Sequence, residues 1–363
     1  MSHIAIDARI IKSSTGRYVE RLLHYLEKTD SDNDYTILVR AKDKDYYVPT
    51  NPRFTVKVAD FADYSFSEQI GFKKLLDSLS PDLVHFCMPQ QPVLYTGKHV
   101  TTIHDLTLLK TYNSDKNWLV FHAKQLVGRF VFKHVAKSSS HIIAISEYTK
   151  QDILNFVSVP AEKITVTLEA ADVIDTTPVA YEHPFKQFIM YVGSQSDYKN
   201  IRRLGDAHQK LLATHPDLGL ILVGKVNDSA KINQAYFEKQ GYKNILFTGF
   251  VSDEELAWLY SNTSAYVFPS LMEGFGLPGL EAMGYGAPVA SSDATCLPEI
   301  NGDAAVYFDP LSVDDMVKSI ASILDDQTLK ESLVKKGYAQ FKKYSWERMA
   351  QQTHAVYMDA LKK

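Results

Sequence analysis

Short runs of apolar and β-branched residues alternate with amphipathic stretches along this 363-residue chain, and the whole pattern occurs twice. Such alternation is typical of βαβ units, in which parallel strands are connected by helices that cover the sheet. The first series of strands is predicted at His3–Ala8, Tyr35–Val39, Leu83–Phe86, Val100–Ile103, Ile142–Ile145 and Ile164–Val166. The second series is predicted at Phe188–Val192, Leu218–Val223, Ile245–Phe247, Ala265–Phe268 and Pro288–Ala290.

Residues 172–186 lie between the two series, contain two prolines and show no periodicity. Because one hydrophobic core rarely serves so long a chain, we predict two Rossmann-like, doubly wound α/β domains, over 1–171 and 187–345, joined by this linker. The amphipathic stretch 346–363 has no strand after it and is predicted to be a helix that packs back toward the N-terminal domain. Ligands of such sheets bind beyond the carboxyl ends of the strands, so the expected site is a cleft between the domains.

The composition is that of an ordinary folded protein, with 45% hydrophobic residues and a net charge of −4, which argues against a general nucleic-acid binder. Cys87 and Cys296 have neither metal-binding nor redox spacing, as is usual in a reducing compartment. Asp7 and Arg9 interrupt the apolar run that a signal peptide would need, and no stretch of about 20 apolar residues exists. We therefore expect a cytoplasmic location.

The segment Phe268–Met283 carries the clearest chemical signal. A predicted strand ends at Phe268, a loop with several glycines follows, and Pro278 stands where a helix would begin. Glycines allow the backbone to approach a ligand closely, and a helix N-terminus offers free N–H groups to an anion. With Glu273 before the loop and Glu281 in the helix, the segment suits a sugar diphosphate, since amides bind phosphate and carboxylates bind hydroxyls.

A second interpretation of this segment is a dinucleotide-binding loop. Gly274, Gly276 and Gly279 match the spacing of that fingerprint, and Asp293 follows at the end of the next predicted strand. The protein would then be an NAD-dependent or flavin oxidoreductase. Against this, Gly284 and Gly286 end the helix early, and too little chain follows for a separate substrate domain.

Six segments, in order, resemble glycosyltransferase family four, the retaining group 1 glycosyltransferases of the GT-B fold, over nearly the whole chain. They are the opening IDARIIKSSTGRY, Thr102–Thr107, Ile145–Lys150, Tyr191–Asn200, Glu273–Met283 and Leu297–Pro310. The resemblance implies a hexosyltransferase that takes the sugar from a nucleotide diphosphate donor, with GDP-mannose favoured over UDP-glucose and no other cofactor. It implies a glycan or lipid-linked acceptor and retention at the anomeric carbon.

The resemblance also implies roles for individual residues. The catalytic residues would be His104, which contacts the sugar and its phosphate, Glu273, which binds the hexose near O3 and O4, and Lys199, which pairs with the diphosphate. The donor would also contact Gly16, Ser194, Phe250, Val251, Gly274, Phe275, Gly276, Leu277 and Glu281. Among these, Gly16 would let the first domain close over the diphosphate, and Glu281 would accept from the ribose hydroxyls. The base would lie against the backbone around Phe250 and Val251.

One position departs from the family pattern. The family usually has an arginine directly after the Val-Gly of the Tyr191–Asn200 segment, and here that residue is Ser194. Lys199 is then the local cation, and Arg17 is a candidate to replace the missing arginine. A nucleotide-sugar-binding protein of weak or lost activity stays open as an alternative. A metal is not expected, because Asp43-Lys-Asp45, in a charged early loop, is the one plausible Asp-x-Asp element.

The segment 98–150 is basic, with eight Lys or Arg against three Asp or Glu. Its cations Lys116, Lys124, Arg129, Lys133 and Lys137 are interleaved with Trp118, Phe121, Val127 and Phe132. This pattern predicts an amphipathic helix, and two interpretations stay open: a peripheral membrane contact through 116–137, or a core-packed helix with a solvated face.

Overall fold

The computed structural model describes residues 1–13, 15–63, 65–110 and 118–362, with the side chains of 118–124 excluded. The chain divides into two compact units, which are described separately below. The first unit comprises Met1–Glu169 and Ser345–Lys363, and the second comprises Ala170–Tyr344.

In its described residues, the first unit contains a seven-stranded parallel sheet in the order β3-β2-β1-β4-β5-β6-β7. The strands are β1 (His3–Asp7), β2 (Asp34–Val39), β3 (Phe54–Val58), β4 (Leu83–Phe86), β5 (His99–Ile103), β6 (His141–Ala144) and β7 (Ile164–Val166). The strand order reverses at β1, which pairs with β2 on one side and with β4 on the other. Loops at the carboxyl ends of β1 and β4 therefore diverge there and leave a crevice in which ligands of such sheets bind.

The helices before the domain boundary are α1 (Gly16–Thr29), α2 (Lys73–Leu79), α3 (Thr107–Lys110), α4 (Trp118–Ser138) and α5 (Glu147–Phe156). In α1, the buried residues Val19, Leu22, Leu23 and Leu26 recur at helical spacing, as the sequence predicts. A π-helical turn at Ser67–Phe72 leads into α2.

The described part of the second unit contains a six-stranded parallel sheet in the order β10-β9-β8-β11-β12-β13. The strands are β8 (Gln187–Val192), β9 (Leu218–Val223), β10 (Ile245–Gly249), β11 (Ala265–Phe268), β12 (Val289–Ser292) and β13 (Ala305–Phe308). The helices are α6 (Ile201–Leu211), α7 (Asp228–Gln240), α8 (Asp253–Asn262), α9 (Leu277–Gly284), α10 (Leu297–Asn301), α11 (Val313–Asp325) and α12 (Gln327–Phe341). The predicted capping box of Ser252 and Glu255 opens α8.

The predicted fold class is confirmed, since both sheets are parallel and doubly wound. Two strands, β3 and β13, are additional to those predicted, and both are edge strands with a single neighbour in the sheet. Three of the five residues of β3 are exposed, so the strand lacks the apolar run that marks the buried strands. An edge strand of this kind leaves little signal in the sequence.

The last helix, α13 (Trp346–Lys362), packs against α1 within the first unit. Its buried residues Met349, Ala350, Thr353, Val356 and Tyr357 are spaced to line one face. The Tyr357 hydroxyl lies 2.6 Å from Nδ1 of the buried His85 in β4, so the helix is also attached to the sheet by a polar contact. Within the described ranges, no helix is both long and apolar enough to cross a membrane.

Candidate active site

The glycine-bearing loop after β11 leads directly into α9. Gly276 precedes the helix with φ +97°, a conformation that residues with a side chain rarely adopt. A Cβ at this position would lie 2.7 Å from Cδ2 of Leu297, which would then have to shift. Pro278 stands in the first turn of α9, as predicted, where its missing N–H costs no hydrogen bond. The loop thus delivers the N-terminus of α9, the end of a helix that attracts anions, to the carboxyl end of β11.

Lys199 and Glu273, both predicted site residues, are in direct contact. Nζ of Lys199 donates to Oε1 of Glu273 at 2.6 Å, and both side chains are largely buried. Lys199 ends a short 3-10 turn, Asp197–Lys199, that follows β8, and Glu273 lies in the loop that follows β11. Since β8 and β11 are neighbouring parallel strands, their carboxyl ends bring these two loops together. A backbone hydrogen bond of 2.8 Å, from Leu271 N–H to the Tyr198 carbonyl, also joins the loops.

The charge of Lys199 is stabilised by its surroundings. Burial by itself lowers the pKa of this amine, but the charge of Glu273, supported by Tyr191 and Tyr198, outweighs burial and raises the pKa above its usual value. The ammonium also lies 5.0 Å from the ring centroid of Tyr198. Lys199 is therefore a permanent cation at this site.

Glu281 lies on α9, where Tyr260 of α8 reaches it. The Tyr260 hydroxyl donates to Oε2 of Glu281 at 3.4 Å, and the Tyr260 ring stacks on Tyr285 at 5.3 Å. Tyr266 of β11 is buried. Its burial first, and then the charges of Glu281 and Glu273, raise its pKa well above the usual value.

Ser194, the position of the missing arginine, is exposed, and its carbonyl accepts a 2.6 Å hydrogen bond from the Tyr191 hydroxyl. The next arginines along the chain lie in α6, as predicted. Arg202 donates to Asn233 at 3.2 Å and Arg203 donates to Asn200 at 2.9 Å, so each makes contacts of its own. Phe250, expected near the base, follows β10 and is 93% exposed.

His104 follows β5 in the first unit and is nearly buried. Its Nε2 lies 3.0 Å from the carbonyl oxygen of Cys87, which can only accept, so this nitrogen carries the hydrogen. Its Nδ1 lies 3.3 Å from Oε1 of Glu169, and the ring of Tyr18 packs against it edge-on at 4.9 Å. The Cys87 carbonyl and the Glu169 carboxylate lie on opposite sides of the imidazole ring and hold it in one orientation.

The segment Ile145–Lys150 contacts His104 through a hydrogen bond to its backbone. Ser146 caps α5 by accepting from the Thr149 N–H at 3.1 Å, and the Thr149 hydroxyl donates to the His104 carbonyl at 3.1 Å. Two of the segments singled out in the sequence thus meet at one histidine. Glu169 was not predicted, although its place three residues after β7 puts it at the same edge of the sheet.

The remaining predicted residues of the first unit lie at the start of α1. Gly16 is the first residue of this helix, and a Cβ there would lie 1.9 Å from the Ile11 carbonyl oxygen, so the turn before α1 itself requires glycine. Arg17, the possible substitute for the missing arginine, is exposed on α1.

A buried ionic cluster lies at the carboxyl end of β1. Arg9 donates to both carboxylate oxygens of Asp7 at 2.8 Å and to Glu68 at 2.9 Å, and its guanidinium lies 4.1 Å from the Phe72 ring centroid. Glu68 belongs to the π-helical turn, 59 residues away from Arg9, and no sequence signal connects the two. Groups of three or more His, Cys, Asp or Glu that could hold a metal are absent from the described residues.

Two doubly wound units, with a helix N-terminus and a Lys–Glu pair at the strand ends of the second, match the architecture of a glycosyltransferase of the GT-B class. Two family profiles match the chain: "Glycosyltransferase Family 4" over residues 15–172 and "Glycosyl transferases group 1" over residues 179–340. The chain belongs to this glycosyltransferase family. This membership overrides the dinucleotide-binding interpretation of the glycine loop, and α9 indeed ends at Gly284.

Several known proteins are similar to the chain. The O-antigen chain mannosyltransferase B of Escherichia coli is 33% identical over 274 residues, which cover 71% of this chain and 69% of that protein. The serotype-specific mannosyltransferase WbdA of Escherichia coli is 30% identical over 266 residues, 70% of this chain, but the chain spans only about a third of WbdA (32%). The sucrose-phosphate synthase of Thermosynechococcus elongatus superposes over 99% of both chains with a TM-score of 0.79 at 18% identity, a likeness of fold.

Proposed function

We propose that this glycosyltransferase transfers mannose, with retention and without a metal ion, from a nucleotide diphosphate mannose to a glycan or lipid-linked acceptor. The 2.6 Å contact between Lys199 and Glu273 is the observation that carries the proposal, because it joins a phosphate-binding cation to a hydroxyl-binding carboxylate. Mannose is favoured over glucose because the relatives named above are mannosyltransferases. GDP is favoured as the nucleotide, with UDP as the alternative.

In this proposal the donor lies along the carboxyl ends of β8, β10 and β11. The diphosphate of the donor binds at the N-terminus of α9 and pairs with the Lys199 ammonium. The hydroxyls of its hexose donate to the Glu273 carboxylate. The bound diphosphate competes with Glu273 for Lys199, which frees a carboxylate oxygen for the sugar hydroxyls. Glu281 accepts from the ribose, and the exposed Phe250 ring offers a flat surface to the base.

Retention follows from departure and attack on one face of the sugar. The bond between the anomeric carbon and the diphosphate breaks with its electron pair on the phosphate oxygen. The acceptor hydroxyl forms the new bond on that same face, and its proton passes to the departing phosphate. The protein's main task is to stabilise the charge that develops on the diphosphate, through Lys199 and the helix N-terminus.

Metal independence rests on the permanent charge of Lys199, which provides fixed positive potential beside the leaving group. The test is a thermal-shift panel of nucleotide-sugars, because bound donor raises the unfolding temperature by mass action, followed by turnover assays of the stabilising donors with and without EDTA. GDP-mannose should stabilise most, and turnover should survive EDTA. If EDTA abolishes turnover and Mn²⁺ restores it, the metal-free mechanism is wrong.

A weakly active or inactive nucleotide-sugar-binding protein is the second candidate. It is favoured by Ser194, which provides only a hydroxyl where the family has arginine, and by the contacts of Arg202 and Arg203 with Asn233 and Asn200. Hydrolysis of a labelled nucleotide-sugar separates the two candidates. Donor binding without hydrolysis or transfer would favour this one, and we then expect Ser194→Arg to strengthen donor binding.

A peripheral contact with an anionic bilayer, at the cytoplasmic face of a membrane, is part of the proposal. On α4, the exposed Leu126, Phe130, Lys133 and Lys137 follow one another at intervals of three or four residues, flanked by the exposed Val127 and Arg129. An exposed apolar stripe with cations along it matches a lipid surface, because the ring and aliphatic chains enter the interface while the cations meet anionic headgroups.

One residue of the predicted amphipathic helix lies elsewhere than the sequence pattern predicts, and others lie outside the described residues. Phe132 packs against the core cluster around Ile142 and so does not belong to the exposed stripe, contrary to the sequence pattern. Lys116 and the side chains of Trp118, Phe121 and Lys124 lie outside the described residues.

A further inference from the structure

Thr295, in the loop between β12 and α10, has a backbone conformation that disfavours its side chain. Its φ is +59°, in the left-handed region that glycine and asparagine adopt most easily. A β-branched residue is especially unfavourable there, and strain of this kind persists only where the surrounding structure enforces it. The backbone alone would therefore be served better by glycine.

The Thr295 side chain makes a contact that glycine could not make. Its Oγ1 accepts the backbone N–H of Glu273 at 3.1 Å. The next residue, Cys296, is buried, and its thiol donates to the Glu273 carbonyl at 3.3 Å. Together with Lys199 on the carboxylate, these contacts hold Glu273 at its N–H, its carbonyl and its side chain.

The two loops meet because of the strand order. Glu273 follows β11 and Thr295 follows β12, and these strands are parallel neighbours, with Phe268 paired with Ser291 near their carboxyl ends. The loop after β12 therefore packs against the loop after β11 that carries Glu273. The left-handed turn at Thr295 directs its hydroxyl toward the Glu273 amide.

We propose that Thr295 is a positioning residue that fixes Glu273 for the donor hexose, and that its strained backbone is the condition for this contact. The proposal rests on the proposed function, in which Glu273 binds the sugar. Three substitutions separate the side-chain contact from the backbone strain. Thr295→Ser keeps the hydroxyl, Thr295→Val keeps the β-branched shape without the hydroxyl, and Thr295→Gly removes both strain and hydroxyl.

Amide hydrogen exchange of the peptide that carries Glu273 tests the contact without any donor. We expect exchange at Glu273 to accelerate in Thr295→Val and Thr295→Gly and to remain near wild type in Thr295→Ser. Thr295→Gly should also unfold at a higher temperature than Thr295→Val, because glycine relieves the left-handed strain. Equal exchange in all four proteins would overturn the positioning contact.

Kinetics with GDP-mannose test the consequence. Loss of one hydrogen bond corresponds to roughly a 3- to 10-fold change, which we expect as a raised donor KM in Thr295→Val and Thr295→Gly. Thr295→Ser should restore KM to near wild type. Asn244→Gly is the matched control, since Asn244 is a second left-handed residue of the same unit, with φ +58°, and its side chain contacts Pro216.

The outcomes distinguish this proposal from the function on which it rests. A wild-type protein that binds no nucleotide-sugar would overturn the proposed function and with it the donor role of Thr295, while amide exchange would still decide whether Thr295 holds Glu273. A normal donor KM in Thr295→Gly, despite faster exchange at Glu273, would overturn the donor role alone.

Discussion

Nζ of Lys199 lies 2.6 Å from Oε1 of Glu273, although the two residues are 74 positions apart in the chain. Each is carried to this point by a loop at the carboxyl end of its strand, and each partner compensates the burial of the other's charge. A ligand that takes Lys199 must therefore bring negative charge of its own. In the proposed function, a sugar diphosphate provides that charge, and its hydroxyls then bind the released carboxylate.

We expect Lys199→Ala to lower turnover by about 10²–10³, the loss that follows removal of one donor to a transition-state charge. Ser194 cannot replace the lost cation, so little residual stabilisation should remain. Turnover with saturating donor is the measurement. Lys210→Ala is the control, because Lys210 is an exposed lysine of the same unit that pairs with Asp314. Near-normal turnover of Lys199→Ala would mean that the diphosphate is held elsewhere.

Glu281→Gln should weaken nucleotide binding by roughly 1–3 kcal/mol, the scale of a hydrogen bond to a charged group. The amide keeps the size of the side chain but loses the charge that would accept from the ribose hydroxyls. Calorimetric titration with GDP and UDP provides the affinities, and Glu238→Gln on the outer face of α7 should leave both unchanged. Wild-type affinity of Glu281→Gln for both nucleotides would remove Glu281 from the site.

Stability of the first unit should decrease as the pH falls from about 6.5 toward 3 because of His85. Burial, assisted by the nearby His104, lowers the pKa of His85 to about 3, so the folded protein keeps this ring neutral while the unfolded chain protonates it near 6.5. Between these values the unfolded state binds the extra proton, which removes up to about 1.4 kcal/mol of stability per pH unit.

Urea unfolding between pH 4 and 7.5 measures how the free energy of unfolding changes with pH. His85→Gln should reduce this slope by the contribution of one proton. Above pH 7 the stabilities of both proteins should be independent of this group. An unchanged slope in His85→Gln would show that His85 does not titrate in this way.

The wild-type protein should sediment with vesicles that contain anionic lipid at low salt, and high salt should release it. Arg129→Glu should weaken the binding about ten-fold or more, since each cation near an anionic surface contributes on the order of 1 kcal/mol. Phe130→Ser should weaken it by removing apolar contact. Lys74→Glu makes the same charge change at an exposed position of α2 and serves as the control. Failure of the wild type to sediment would leave α4 as a core-packed helix with a solvated face.

Much of the fold could be predicted from the sequence. The buried strands were found within about two residues, because a run such as Leu218–Val223 is apolar throughout, as is typical of a central parallel strand. The glycine loop and the helix start at Pro278 were also predictable, since both depend on the conformational preferences of single residues. The edge strand β3 was missed because three of its five residues are exposed and it lacks that apolar signal, whereas β13 is apolar but only four residues long.

The sequence by itself determined the α/β fold class, the main strands and the residues whose chemistry suits a nucleotide-sugar, because periodicity, glycine conformation and helix capping act over a few residues. Only the tertiary structure decided which of these residues meet. Lys199 with Glu273, Thr295 with Glu273 and His104 with Glu169 are contacts between different loops at one edge of a sheet. Such contacts depend on the order of the strands. That order is set by the packing of the whole core and cannot be predicted from any short segment of the chain.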